Sequence, residues 1–529
     1  MAFVFLFGNQ WVTLWDQDEA AYAGFARRMV ESGNWLIPEF MWSDVHRKPP
    51  LHFWSIALSY KALGVNEFAT RVPSALSVLF TLAATYFMGR RLFGEKESFI
   101  GMVVLSTSFL VMALAKISVT DATLLFFTTV CALSILYVLV FEEKRWIFVF
   151  WTSFALALLV KGPPVILFTG VFVFLLFVFH PQRKKLFRLH PWFFLPLAVA
   201  PLYIWGWLCF QNQEGKDFIY WMVDWYILKR VGGSVFGQTG PPGTHLVGLM
   251  VFFLPYFMFF PKAVFNGIRH LFTKSKNADF LLAAWFVAGW FIFELTPSKL
   301  PAYVVAAHVP LALIIGRLLL NHSQNLPNRG LVAGHLVLNG LIFLIFMIAP
   351  FAVGLSASMQ WVFGAGGLFF LIFLILTIRK ARRENFMSRL LVMNVSFAVA
   401  LGLVFLPVAD QLKNSSLRIA RYVETIADSD TPVVIANNFT YPPSLPFYLM
   451  ERFSNVGEEY DVNTLIEMYK SSEKLVFILN TERRNAFAEK FPELNYVEIK
   501  PLFTDRIPQE SYFIITNIRP DKAIPENEN

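Results

Sequence analysis

Three features of the 529-residue chain predict a mainly α-helical, polytopic membrane protein with a small α/β domain at its C-terminal end. Hydrophobic residues make up 56% of it and charged residues 16%, against about 25% charged in soluble domains, so a soluble core could not absorb the apolar surface. Apolar runs of near-spanning length recur through residues 1–407. Beyond Pro407 the composition changes to short strand-like runs alternating with helical stretches.

The apolar runs lie at about 1–15, 67–89, 98–115, 119–140, 146–160, 162–179, 191–210, 245–261, 279–296, 301–320, 330–350, 358–378 and 388–407, about thirteen spans. The first is short for a span of roughly 20 residues and is read as tilted and capped by Trp11 and Trp15, or as truncated. No basic n-region with a small-residue cleavage site precedes it, so no cleavable signal is expected. Cys131 and Cys209 lie inside apolar runs, so no disulfide is expected. The net charge of +8 is read as basic loops that fix orientation, not as a nucleic-acid surface.

Basic residues fall in alternate loops. Arg90, Arg91 and Lys96 form one group, Lys144 and Arg145 the next, then Arg183, Lys184, Lys185 and Arg188. The series continues through Lys262, Arg269, Lys274 and Lys276, then Arg317 and Arg329, then Arg379, Lys380, Arg382, Arg383 and Arg389. The positive-inside rule makes these loops cytoplasmic and puts the loops 16–66 and 211–244 and the tail from 408 outside. Residues 17–32 and 50–63 read as amphipathic helices lying flat at the membrane surface, the first ended by Ser32-Gly33-Asn34 and the second started at Pro49-Pro50. The tail, 408–529, reads as an outer α/β domain with strands near 431–436, 474–480 and 511–518.

Charged residues in an apolar chain are costly and ask for a role. Asp18 and Glu19, Lys48, Asp121, Lys161, Arg230, His245, Lys299 and Tyr303 all fall at the outer ends of their helices. Singly, each has a plainer reading. Lys161 and Lys299 could snorkel, Asp121 could cap a helix after Thr120, and His245 could be a satisfied interfacial histidine. Tyr303 suits an aromatic belt, Asp16 an interface, and Arg27 and Arg28 a solvated helix face. Jointly they bring carboxylates and cations to one membrane face. A lipid-linked phosphate at headgroup depth needs such cations, which Lys48, Lys161, Arg230 and Lys299 could supply. Moving its sugar to a hydroxyl or amine needs a carboxylate such as Asp18 to accept a proton, and positive charge for the leaving phosphate. There is no Walker loop, no GxGxxG and no CxxC, so nucleotide binding has no support.

The segments "LWDQDEAAYAGFARRMVESGNWLIPEF", "RKPPLHFW", "VTDATLL", "LLVKGPP" and "SKLPAYVVAAHVPLALIIGRLL" resemble, in order and spacing, the membrane glycosyltransferases of the GT-C superfamily. The resemblance is to the branch holding 4-amino-4-deoxy-L-arabinose lipid A transferase and the bacterial relatives of protein O-mannosyltransferases, and it covers about residues 10–320. It implies a polyprenyl-phosphate sugar donor, an active site on the periplasmic face of a bacterial inner membrane, and inversion at the anomeric carbon. It makes Asp18 the first-loop acid, with Glu19 beside it, and Asp121 the acid opening the fourth span. Lys48 matches the lysine of the family's "EKP", Lys161 the basic residue of "TKG", and Lys299 with Tyr303 the "KLPxY" pair near the donor phosphate.

Two positions depart from the arabinose transferases. Ala21 stands where their "DExRY" has arginine, and Arg47 where "EKP" has glutamate. That glutamate helps hold a metal in those enzymes, so a divalent metal site is doubtful here even with His46 and His245 nearby, and no cofactor is expected with certainty. The sugar stays open, as does the acceptor, which is lipid A, another glycolipid or a protein. A flippase of lipid-linked sugars is the rival class, but it would place charges near mid-membrane with paired broken helices. A glycan polymerase or ligase shares the donor class.

Overall fold

The computed structural model describes residues 1–518 apart from 17, 42, 230–238, 274–276, 325–328, 353–356, 380–385, 406–409, 411–414, 437–441, 460, 492–494 and 501–510. The chain forms two compact units. One takes Met1–Gln10, Gly33–Pro38 and Lys48–Val408; the other takes Trp11–Ser32, Glu39–Arg47 and Ala409–Asn529.

The first unit is a bundle of apolar helices. Among the described residues four are long and apolar enough to cross a membrane: Glu67–Phe93, Thr120–Phe141, Pro191–Cys209 and Ala302–Asn321. The pair Glu95–Ser106 and Phe109–Lys116 counts as a fifth if taken as one span bent by 62°. The sequence reads 98–115 as continuous, and its break has a local cause. Ser106, Thr107 and Ser108 turn their hydroxyls onto carbonyls of the preceding turn, Val103 and Leu105. Such bonds compete with the helical ladder. Phe109 N–H then donates to Leu254 O at 3.0 Å.

The first expected span is also not one helix. Ala2–Leu6 is helical, Gly8 takes φ +80°, the Asn9 amide donates to Phe5 O at 2.9 Å, and Asn9–Trp11 is a 3-10 turn. A glycine in the left-handed region and a side chain closing the last turn end a helix early. The helix Leu51–Leu63 packs on Glu67–Phe87 and Arg145–Lys161 and buries His52, Phe53, Ile56, Ala57 and Tyr60, so it belongs to the bundle instead of lying free on a surface.

Three basic loops meet at one end of this bundle. Glu143 accepts from Arg91 and from Arg145 (2.8 Å), and Glu142 from Arg188 and Lys185 (2.6 Å). Both glutamates directly follow the 22-residue helix Thr120–Phe141. Its other end, roughly 30 Å away at 1.5 Å per residue, begins with Thr120-Asp121.

In the second unit the helix Asp18–Ser32 is buried on nearly all sides through Glu19–Arg27. The expectation of a flat surface helix with Arg27 solvated is therefore corrected. The Arg27 guanidinium is buried, donates to the carbonyls of Phe447 (3.0 Å) and Met450 (2.6 Å), and pairs with Glu31 at 2.6 Å. Arg28 is exposed, as expected. The error lay in treating charge as a mark of solvent, when the guanidinium's five donors can be satisfied by main chain. On another side of the helix the Phe40 ring lies against Gly24, where a Cβ would collide with it. That close approach seats residues 39–47 on the helix.

The tail holds a five-stranded mixed sheet in the order β2-β1-β3-β5-β4. Its strands are β1 Val433–Ala436, β2 Val456–Glu458, β3 Val476–Leu479, β4 Tyr496–Ile499 and β5 Tyr512–Thr516. β1 pairs parallel with β2 and β3, and β5 antiparallel with β3 and β4. The central strands "VVIA" and "VFIL" are buried at every residue, as strands covered on both faces must be. Leu465, Phe477, Phe487 and Phe513 join the core under the helices Val462–Ser471 and Thr481–Lys490.

Gly24→Ala should lower the thermal midpoint of the full-length protein. Helix propensity alone would favour alanine by about 1 kcal/mol, but overpacking against Phe40 costs about 1–3 kcal/mol. A midpoint equal to or above that of the native chain would contradict the seating of residues 39–47 by this contact.

Candidate active site

Each unit carries a cluster of the polar residues that the sequence singles out. In the bundle, Asp121 lies in the first turn of Thr120–Phe141 and Lys161 is the last residue of Arg145–Lys161, two helices packed along their lengths. Asp121 Oδ1 and Lys161 Nζ are 2.6 Å apart, with the side chains 12% and 14% exposed. The placement suits both helix dipoles, an anion at an N-terminus and a cation at a C-terminus. The "VKGPP" sequence builds it: Gly162 takes φ +70° to end one helix, and Pro163 and Pro164 start the next.

A second cluster surrounds Glu294, the last residue of Ala278–Glu294. Its Oε1 accepts the Gly243 N–H at 2.8 Å and the His245 N–H at 3.4 Å, and its Oε2 accepts the Trp290 indole N–H at 2.8 Å. Lys299 Nζ lies 3.7 Å from Oε1 and donates to the Glu294 carbonyl. His245 Nε2 lies 3.1 Å from Leu300 O, which makes it the donor and leaves Nδ1 facing Glu294 Oε1 at 3.8 Å. The Tyr303 ring is 6.3 Å from the His245 ring. Glu294, Lys299 and His245 are all nearly sealed from solvent. Glu294 was not singled out from sequence. The signal was there, a lone glutamate at the end of the apolar run "AAWFVAGWFIFE" and five residues before Lys299.

Lys48 is buried at the start of the segment leading into Leu51–Leu63. One turn on, His52 Nδ1 lies 3.0 Å from the Thr123 hydroxyl and Nε2 3.3 Å from that of Ser118, so this imidazole bridges the residues that flank Asp121. Burial, and after it the charge of Lys48, lowers the His52 imidazole to about 3. Arg230 lies outside the described residues.

In the second unit, Asp18 heads its helix with the side chain 57% exposed. Its Oδ1 accepts the Tyr22 hydroxyl at 3.0 Å and lies 2.9 Å from His46 Nδ1. Glu19 is buried, and its Oε2 accepts the Trp15 N–H at 2.8 Å, holding the start of the helix. Asp16 accepts the Ser444 N–H at 3.2 Å. Arg47, in the position of the family's glutamate, pairs with Asp44 at 2.7 Å. Among the described residues no three His, Cys, Asp or Glu side chains converge as metal ligands. Asp18 with His46 offers two such groups.

Residues 47–207 match the family described as dolichyl-phosphate-mannose-protein mannosyltransferase. The chain is 27% identical over 345 residues to an undecaprenyl phosphate-α-4-amino-4-deoxy-L-arabinose arabinosyl transferase of Pseudomonas fluorescens, covering 62% of this chain and 61% of that one. It is 25% identical over 353 residues to the transferase of that name from Edwardsiella ictaluri, covering 64% and 62%. The crystal structure of ArnT from Cupriavidus metallidurans bound to undecaprenyl phosphate superposes with a TM-score of 0.77 at 18% identity, covering 97% of this chain and 96% of that one. The chain shares the fold of that structure over nearly its whole length, whereas the sequence matches span about three fifths of the relatives' length.

Two outcomes follow for these residues. Lys161→Met should destabilise the protein by about 3–5 kcal/mol by leaving the Asp121 carboxylate buried and unpaired. Asp121→Asn in the same chain should recover most of that loss, and additive losses on thermal unfolding would refute the pairing. His52 sets a pH dependence. Its folded value lies below the unfolded value of about 6.5, so the unfolded chain binds the extra proton. Its contribution is complete above pH ~6.5 and is lost as pH falls toward about 3. Thermal midpoints of His52→Asn should therefore fall less steeply than native between pH 6.5 and 4; equal slopes would exclude His52 as a source.

Proposed function

We propose that the chain transfers a sugar from a polyprenyl-phosphate donor to an acceptor at the outer face of a bacterial inner membrane, with inversion at the anomeric carbon. The acceptor is lipid A, another glycolipid or a protein. The observation that carries this reading is the pair of nearly buried lysines in the bundle, Lys161 and Lys299, each kept beside a single carboxylate. The arabinosyl transferase relatives and the ArnT structure with undecaprenyl phosphate add support. Lysines at helix ends can hold phosphate oxygens and stabilise the charge that grows on them as the sugar leaves. The Glu294 carboxylate is held by Gly243 and Trp290, which leaves the Lys299 ammonium outside hydrogen-bond range of it. That ammonium is thus placed for another anion. Tyr303 and Lys48 complete the donor set, with Arg230 assigned to it from sequence.

Asp18 serves the acceptor side in this reading, with Glu19 fixing the start of its helix. The orientation rests on the basic loops that meet at the end of the bundle remote from Asp121. About thirteen spans, and an outer α/β tail from 408 that takes part in acceptor binding, belong to the same reading.

In proteoliposomes, the chain should release polyprenyl phosphate from a polyprenyl-phosphate sugar and add the sugar's mass to an acceptor in a membrane or periplasmic extract. Lys299→Met should lower kcat/KM at least ~100-fold, as expected when a preorganised transition-state contact is removed. Movement of the lipid-linked sugar between leaflets without sugar transfer would favour a flippase and refute the proposal.

A further inference from the structure

We infer that Glu294 governs release of the leaving phosphate: its carboxylate, fixed beside Lys299 but not bonded to it, weakens the hold on a phosphate monoester more than on the diester of the donor. The inference rests on the glycosyltransferase reading above, in which Lys299 meets the donor phosphate. Every residue it uses lies in the bundle unit.

A buried carboxylate and ammonium side by side would ordinarily close a hydrogen bond, as Asp121 and Lys161 do at 2.6 Å. Glu294 is kept from doing so. Its Oε1 accepts the Gly243 and His245 N–H groups, at 2.8 and 3.4 Å, and its Oε2 accepts the Trp290 indole N–H at 2.8 Å. Gly243 and His245 flank the first residue of the helix Thr244–Phe252, an end that favours a negative charge. Trp290 lies one turn back on the helix of Glu294 itself. Held from these sides, the carboxylate leaves Lys299 Nζ at 3.7 Å, with its hydrogen bond going to the Glu294 main-chain carbonyl. An ammonium has three N–H donors, so two remain for the oxygens of an anion. The neighbouring Ser298 hydroxyl is buried and has no hydrogen-bond partner among the described residues, so it is a further donor of the same kind.

This arrangement acts unequally on the two lipids of the reaction. The donor phosphate is a diester with a single negative charge. Once the anomeric C–O bond has broken, the phosphate is a monoester, with about 1.5 to 2 charges near neutrality. An oxygen about 2.8 Å from Nζ lies no more than roughly 6.5 Å from Glu294 Oε1, given the 3.7 Å between Oε1 and Nζ. Glu294 and Lys299 are nearly sealed from solvent, so salt screens their fields little. Attraction to Lys299 grows with the charge on the phosphate, and so does repulsion by Glu294. A lysine without this neighbour would hold the product more tightly than the donor and stay blocked by it. The carboxylate offsets that gain, and the three N–H groups keep it from closing onto Lys299 and cancelling the attraction for the donor as well. Glu294 is thus a positioning residue for charge that does not touch the reacting atoms.

The test measures binding of two probes to the full-length chain in nanodiscs: undecaprenyl phosphate, a monoester, and its methyl ester, a diester on the same lipid. Glu294→Gln keeps an acceptor for the Gly243 and His245 N–H groups, and Glu294→Ala leaves room for water to serve them. Both should raise the preference for the monoester at least ~10-fold over native, as expected when one like-charge repulsion at this separation is removed. Glu294→Asp, which keeps the charge, should stay within about threefold of the native preference, a difference under 1 kcal/mol. A purely structural role would instead weaken both probes alike in all three variants. An unchanged preference in either charge-removing variant, or a shift in Glu294→Asp as large as in Glu294→Gln, would overturn the inference while leaving Lys299 in the donor site. Lys299→Met should weaken both probes at least ~10-fold. If it binds both as the native chain does, the placement of the phosphate on Lys299 is wrong, and the inference falls with that reading.

Discussion

A charge placed among apolar helices must find a partner or be neutralised, and this constraint governs the bundle. The Asp121–Lys161 contact meets it by joining the start of one long helix to the end of the next. The packing of those helices, the glycine that ends one and the prolines that open the following one all bear on a single ion pair. Glu294 meets the same constraint differently. Three N–H groups hold its carboxylate, and a lysine lies just beyond hydrogen-bond range. The first arrangement is closed. The second is open, its lysine donating to the Glu294 carbonyl and not to the carboxylate.

Much of this was legible in the sequence, and the physical reasons differ from residue to residue. Asp121 and Lys161 stood out because each interrupts an apolar run at its end, where a helix terminus tolerates that sign of charge. The strand-like runs at 431–436, 474–480 and 511–518 overlap β1, β3 and β5, since strands covered on both faces are continuous in hydrophobicity. β2 and β4 were not read, being short and partly exposed. The setting of Glu294 is not legible from sequence because the Gly243 and His245 N–H groups that hold its carboxylate lie far from it along the chain. Arg27 was misread because sequence shows a charge but not the carbonyls that receive it. The break near Ser108 was missed because three hydroxyl residues look innocuous inside a hydrophobic run, although together they bend it by 62°.

The pairing of Asp18 with His46 could not have been read at all. The two residues are 28 positions apart, on a helix and on a turn, and nothing in their spacing fixes the distance. The close approach of Phe40 to Gly24 brings them together. Arg47 and Ala21, the two positions at which the sequence departs from the resemblance to the arabinose transferases, fall on the same segments. Arg47 pairs with Asp44, and Ala21 is buried two residues after Glu19.

Arg27 reaches across to Phe447 and Met450 but touches only their main-chain carbonyls. Recognition of backbone is indifferent to side-chain identity. Over evolutionary time the residues of that short helix can therefore drift while the arginine's hold on it stays unchanged, so that a tail of widely varying sequence can keep the same anchor.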